Sequence, residues 1–232
     1  MAKTYLDLIN IVLRDINEVP LTETSFLAPR GLQAFIKEAI NRSLMDVINY
    51  NDEWPWLTSE VLNPGTSAHT HEFTTVDGIT EYQLPSGIDE IDYDNVVFVP
   101  KDSVDSEGSY LLKFIDYNEV LTIASEIDGT DTPRYAYQTP SNGYLGIYPK
   151  PTSGHTIRYI AWKEPTFLVD ATDTLPFEDR YYTVIVSRAR YYAWLFRENA
   201  QQASMALNEY EENLRTMYKN IVLPRARTMR AV

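Results

Sequence analysis

The apolar residues of this chain change period twice, and those two changes constrain its architecture more than any other feature. Near the start, Tyr5, Leu6, Ile9, Val12, Leu13 and Ile16 recur at three- and four-residue steps, which is one stripe of an α-helix. Thr4 can cap its start, and Pro20 stops it. A loop with Thr22, Thr24, Ser25 and Pro29 follows. The same spacing then returns in Leu32, Phe35, Ile36, Ala39, Ile40, Leu44, Val47 and Ile48. Two such helices with a short link predict a helical hairpin. Trp54-Pro55-Trp56 closes it, because proline bars helix and holds the tryptophans extended.

From there the period is two. Thr70–Val76, Thr80–Leu84, Asn95–Val99 and Tyr110–Ile115 read as short strands, punctuated by Gly65, Asp77-Gly78, Pro85-Ser86-Gly87 and Glu107-Gly108. Asp116 can cap a short helix through Val120, Leu121 and Ile123. Strands resume at Arg134–Tyr137, Tyr144–Tyr148 and Thr156–Trp162, with Pro149-Lys150-Pro151 and Ser153-Gly154 in the hairpin loop.

The helical period returns near Pro176, where proline and the adjacent Glu178-Asp179 suit a helix start. Val184, Ile185, Arg188, Tyr191, Tyr192, Leu195 and Phe196 make one stripe. Glu198-Asn199 breaks it. Ala203, Leu207, Tyr210, Leu214, Met217 and Ile221 make a last one, close to a heptad seam, and Pro224 ends it. The order predicts an α+β fold. A four-helix body is formed by the N- and C-terminal helix pairs, residues 1–56 and 176–222. A central β-rich insertion spans 57–175, and an extended C-terminal arm spans 223–232.

Charge follows the same division. Glu72 to Asp131 holds fifteen acids against Lys101 and Lys113, a net of -13 that equals the formal charge of the whole chain. The last stretch, Lys219 to Val232, carries Lys219, Arg225, Arg227 and Arg230 and no acid. The acidic middle repels polyanions, so general nucleic-acid binding is not expected. The basic tail suits an acidic partner. Without cysteine, disulfides and thiolate chemistry are excluded. No stretch approaches the roughly 18 apolar residues of a membrane span, and the N-terminus runs straight into a helix rather than a signal peptide. The expectation is a soluble protein made in a cytoplasm, with no membrane partner. Seventeen tyrosines supply broad half-polar contact area, for strand faces and helix seams or for interfaces.

Candidate chemistry is sparse. His69 and His71 fall on one strand face, as a metal pair would, but without a third ligand. Counted from Asp89, a calcium loop would need Gly sixth and Glu twelfth; those positions hold Asp94 and Pro100. Asp89 to Asn95 therefore reads as a solvated acidic loop. With fifteen acids, some pair could mimic a glycosidase acid and base, yet no nucleophile elbow, phosphate loop or dinucleotide fingerprint is present. No catalytic residue, cofactor or metal is assigned. Arg188, Arg190 and Arg197 stand on an otherwise apolar, aromatic helix. They suit ion pairs with acids of the other helices or of a neighbouring subunit, or snorkelled surface positions.

Several of these segments together resemble the head–tail adaptor proteins of tailed bacteriophages, among them the tubular adaptor of short-tailed phages and related connectors. They are Thr4-Tyr5-Leu6-Asp7-Leu8-Ile9-Asn10 opening the first helix, Arg30 to Asn51 as the second, and Trp54-Pro55-Trp56 at the exit into the insertion. Ile147-Tyr148-Pro149-Lys150-Pro151, Thr156 to Trp162, Leu175-Pro176-Phe177-Glu178-Asp179-Arg180-Tyr181 and the Arg-bearing tail complete the set. The resemblance implies a virion protein at the head–tail interface, not an enzyme. It implies a ring, commonly of about twelve copies, built on heterologous contacts and bound under the portal. By position, Leu223, Arg225, Arg227 and Arg230 become portal contacts and Trp54 and Trp56 the body–insertion junction. The insertion then faces a distal tail or nozzle protein. Double-stranded DNA passes through a channel whose acidic wall does not grip it. The long acidic insertion departs from the family pattern. Two other readings of the residues are a cell-wall hydrolase, from the carboxylates, and a carbohydrate- or receptor-binding virion module, from the aromatic strands.

Overall fold

The computed structural model describes residues 2–51, 54–58, 71–101, 108–126, 130–141 and 143–222. Among them are six α-helices and two four-stranded sheets, a mixed α+β protein. The chain forms two compact units. One comprises Met1–Trp56 with the chain from Pro165 onward, and the other Leu57–Glu164.

In the first unit, α1 (Tyr5–Asp15) starts on a capping box, in which the Thr4 hydroxyl accepts from Asp7 N–H and the Asp7 carboxylate accepts from Thr4 N–H. It ends before Pro20. Asn17 turns left-handed (φ 58°) and its N–H donates to the Arg14 carbonyl, closing the last turn. The loop that follows contains one helical turn that was not expected, α2 (Glu23–Phe26), capped by Thr22. Four residues are too few to display a period. α2 seats Phe26 edge-on to Tyr5, with ring centroids 5.4 Å apart. α3 (Leu32–Ile48) buries Ile36, Ala39, Ile40, Leu44 and Val47, as its spacing requires.

Trp54-Pro55-Trp56 is not extended. Pro55–Leu57 makes one 3-10 turn, with proline in the first position, where no N–H is needed. The return to helix also comes later than Pro176 suggested. Glu178 is extended, and Asp179 accepts the Lys3 N–H instead of opening an α-helix. A 3-10 turn over Asp179–Tyr181 leads into α5 (Tyr182–Phe196). Residues 165–175, expected with the β insertion, group with the helices. Tyr5 N–H and Leu6 N–H donate to the carbonyls of Asp173 and Ala171. Asn41 of α3 clasps the backbone of Leu168, donating to its carbonyl at 2.9 Å and accepting its N–H at 3.0 Å. Asn10 of α1 holds Leu21 in the same way, at 2.9 and 2.7 Å. Each amide stands in for a strand partner, so irregular chain is fastened without a sheet.

α5 packs against α1, α3 and α6 (Ala200–Ile221). Its buried residues Val184, Ile185, Val186, Ser187, Ala189 and Ala193 surround much of the helix, as a central position demands. The break before α6 falls at Glu198 (φ 56°), and the Asn199 side chain caps α6 by accepting from Gln202 N–H. The α6 seam buries Ala203, Ala206, Tyr210, Leu214 and Met217.

In the second unit, β1 (His71–Thr74), β8 (Thr156–Lys163), β3 (Ile88–Val99) and β4 (Tyr110–Leu111) form one antiparallel sheet, in that order. The other sheet runs β2 (Glu81–Gln83), β7 (Tyr144–Tyr148), β6 (Tyr135–Gln138), β5 (Lys113–Phe114), with β5 and β6 parallel. Inward residues of both sheets share one core, including Ile91, Phe98, Leu145, Ile147, Ile157 and Tyr159. α4 (Tyr117–Glu126) lies on the other face of the second sheet, where Val120 meets Ile115, Tyr137 and Tyr148.

Two expectations fail here. Asp89 to Asn95 is not a loop: it is part of the twelve-residue strand β3, bulged between Asp92 and Val97. Pairing of Glu90, Ile91 and Asp92 with β8 overrides the poor strand propensity of the acids. Tyr110 to Ile115 is not one strand either. Leu112 N–H donates to Val96, while Lys113 N–H donates to Arg134, so the chain crosses from one sheet to the other at the buried Leu112.

Gly146 is required by its cross-strand partner. A Cβ on it would lie 2.3 Å from Cε2 and Cζ of the buried Tyr137 ring. Gly146→Ala should therefore cost about 1–3 kcal/mol, read as a lower denaturation midpoint of the β unit. Adding Tyr137→Ala should make the pair less than additive; a fully additive pair would refute the contact.

Candidate functional site

α5 carries its three arginines to three different neighbours. Residues two apart on a helix face nearly opposite ways, so Arg188 and Arg190 reach separate partners. Arg188 Nε donates to Asp46 Oδ2 of α3 at 2.6 Å, and the Tyr192 hydroxyl donates to the same oxygen at 2.6 Å. The guanidinium lies 4.9 Å from the ring centroids of Tyr191, Tyr192 and Tyr210, the last from α6. The Arg188 and Asp46 side chains keep 19% and 26% of their exposure, so the pair is largely out of water. α3, α5 and α6 thus meet at one cation. Arg190 bridges Asp15, the last residue of α1, at 3.2 Å, and Glu209 of α6. Arg197 donates to the Ile16 carbonyl at 2.8 Å and pairs with Glu18. Ile16 is the C-cap of α1, where a cation meets the negative end of the helix dipole.

All three arginines therefore find acids from elsewhere in their own chain: Asp46 of α3, Asp15 of α1 with Glu209 of α6, and Glu18 just beyond α1. Their partners were not legible in sequence, since Arg188 and Asp46 are 142 residues apart. The aromatic spacing on α5 and α6 was the one signal pointing to Tyr192 and Tyr210.

Electrostatics follow the geometry. Burial opposes the charge of Arg188, but the Asp46 hydrogen bond and charge together outweigh it and hold the guanidinium above its ordinary value. Burial, then the Asp46 hydrogen bond, raises Tyr192. Burial pushes Tyr210 up to about 12 despite Arg188, and in the β unit it pushes Tyr159 up to about 12. A free phenol ionises near about 10. These folded phenols stay neutral above that pH, while the unfolded chain loses its protons. Their contribution is complete below pH about 10 and is lost as pH rises from about 10 toward 12. Alkaline titration should show phenolate absorbance for these buried tyrosines rising together with loss of far-ultraviolet circular dichroism. If every tyrosine ionised near pH 10 with the helix signal intact, this reading would fail.

The tryptophans occupy the last residues before the β unit, which begins at Leu57. Trp54 is fully buried, its Nε1–H donates to the Val47 carbonyl at 2.8 Å, and its ring stacks on Trp56 at 4.2 Å. Trp56 packs on Phe177 at 5.0 Å. Leu223, Arg225, Arg227 and Arg230 lie outside the described residues, as does His69. His71 is buried and stacked on Tyr159, with centroids 5.4 Å apart. Among the described residues no three His, Cys, Asp or Glu side chains converge as metal ligands, and no helix is long and apolar enough to cross a membrane.

The arginine pairs of the helical unit join α5 to α1, α3 and α6 and to the chain that follows α1. The family model of the SU10 adaptor protein matches residues 3–231, and the chain belongs to that family. It is thus a phage adaptor, a structural component of the virion. No curated protein matches the chain.

Proposed function

We propose that the chain forms a ring, of about twelve copies, that joins the portal to the tail and lines the DNA channel. Membership of the adaptor family over nearly the whole length is the observation that carries this reading. The charge distribution supports it: a β unit with a net of -13 between Glu72 and Asp131 offers phosphates little to hold where DNA passes it. The helices form the ring wall in this reading. Arg188, Arg190 and Arg197 hold that wall together and, in this reading, lie near the contact with the next subunit. Trp54 and Trp56 mark the junction with the acidic unit, which faces a distal tail or nozzle protein. Leu223, Arg225, Arg227 and Arg230 reach the portal as a cationic arm. The family match lends no support to a cell-wall hydrolase or a carbohydrate- or receptor-binding module as the principal role.

Mass photometry of the purified chain mixed with its portal should give a ring-on-ring complex. A chain that stays monomeric with portal present would overturn the proposal. Deleting residues 223–232 should abolish attachment while leaving cooperative melting intact; unchanged attachment would remove the arm from the interface.

A further inference from the structure

β5 and β6 are parallel neighbours, and α4 carries the chain from one toward the other. Parallel neighbours place their carboxyl ends at the same edge of the sheet, and α4 starts there, just beyond β5. Phe114 ends β5, Gln138 ends β6, Asp116 precedes α4 and Tyr117 and Asn118 begin it; with Thr139 and Pro140 they line a half-open cavity of about 240 Å³. The site is braced. The Phe114 ring packs on Tyr93 at 4.9 Å, and the Tyr117 ring lies 6.0 Å from Tyr137 of the core. Thr139 is buried and donates to the Ser141 carbonyl at 2.7 Å, which fixes the exit of β6. Yet Phe114 stays 39% exposed.

The lining selects its ligand by chemistry. Phe114 and Tyr117 bring two aromatic rings to the lining. Asp116, Asn118 and Gln138 surround them with one carboxylate and two amides, which both donate and accept. Among the described residues no Lys or Arg lines the cavity, so an anion would meet a carboxylate with no counter-charge. An ammonium ion would use the rings and Asp116 but leave the amide donors idle. A pyranose ring uses all of them, with its apolar face on an aromatic ring and its hydroxyls on the amides and carboxylate. The volume suits one sugar residue.

We propose that this cavity binds neutral pyranoside sugars, independently of how the chain assembles. Amide NMR spectra of the full chain, titrated separately with methyl glucoside, methyl galactoside and N-acetylglucosamine, test it. Tetramethylammonium and inorganic phosphate form the competing arms. At least one sugar should shift the amides of 114–118 and 138–140 saturably, with a Kd of about 1–10 mM, the range for a ligand of this size. Asn118→Ala and Gln138→Ala, both at exposed positions, should weaken that Kd about fivefold or more with melting unchanged. Silence from every sugar at about 50 mM, saturation only by tetramethylammonium or phosphate, or an unaltered Kd in both variants would each overturn the assignment.

Discussion

Trp54→Ala should lower the stability of the helical unit by about 3–5 kcal/mol, the largest loss expected from any single truncation here. Trp54 heads the large side chains that are fully buried. Its removal opens a cavity beneath the stacked Trp56 and the edge-on Tyr218, whose centroid is 6.2 Å away. It also takes the Nε1–H from the Val47 carbonyl, near the end of α3. Trp54→Phe should keep most of the volume and lose that one donor, costing about 1–2 kcal/mol. Urea titrations of the two variants, followed by far-ultraviolet circular dichroism, separate the cavity from the hydrogen bond. Equal losses would show that volume is not what Trp54 contributes.

Arg188→Met should cost about 2–3 kcal/mol, between the value of a surface pair and that of a fully buried one. The variant keeps most of the aliphatic stem but leaves the Asp46 carboxylate with the Tyr192 hydroxyl and without its cation, and the three tyrosine rings without theirs. The paired variant Arg188→Met/Asp46→Leu should recover much of the loss, because two apolar groups leave no charge behind. If the double variant were as damaged as the sum of the single ones, Arg188 would act through packing rather than through Asp46. High salt should weaken the wild-type pair only modestly, since both side chains are shielded from water.

Much of the fold was legible because it is local. The helical stripes of α1, α3 and α6 and the strict alternation of β8 (buried at Ile157, Tyr159 and Ala161) come from residues a few positions apart. So does the cap at Thr4; Asn199 reads in sequence as a break and also caps α6. The spacing of α5 misleads at its end: Leu195 and Phe196 are exposed, while Val186, Ala189 and Ala193 are buried because neighbours pack on several sides of that helix. Two misreadings had one cause, which is that pairing partners outvote local propensity. β3 runs through Asp89 to Asn95 because β8 lies beside it. The ribbon around Leu112 splits because two sheets claim its two halves. α2 and the segment 165–175 were invisible for a different reason. One is shorter than a period, and the other is fastened by the single side chain of Asn41 and the first turn of α1.

For the site, the order of residues announced three arginines on an aromatic helix but not what they hold. An ion pair depends on which charges arrive within a few ångströms of one another, and Asp46, Asp15 and Glu18 arrive beside α5 only when α1 and α3 have packed on it. The sugar-sized cavity has the same origin, since neither β5, α4 nor β6 encloses space alone. Composition and period decide what each segment becomes, because those forces act between neighbours in the chain. Which groups face one another is settled by packing, because that alone brings residues more than a hundred positions apart into contact.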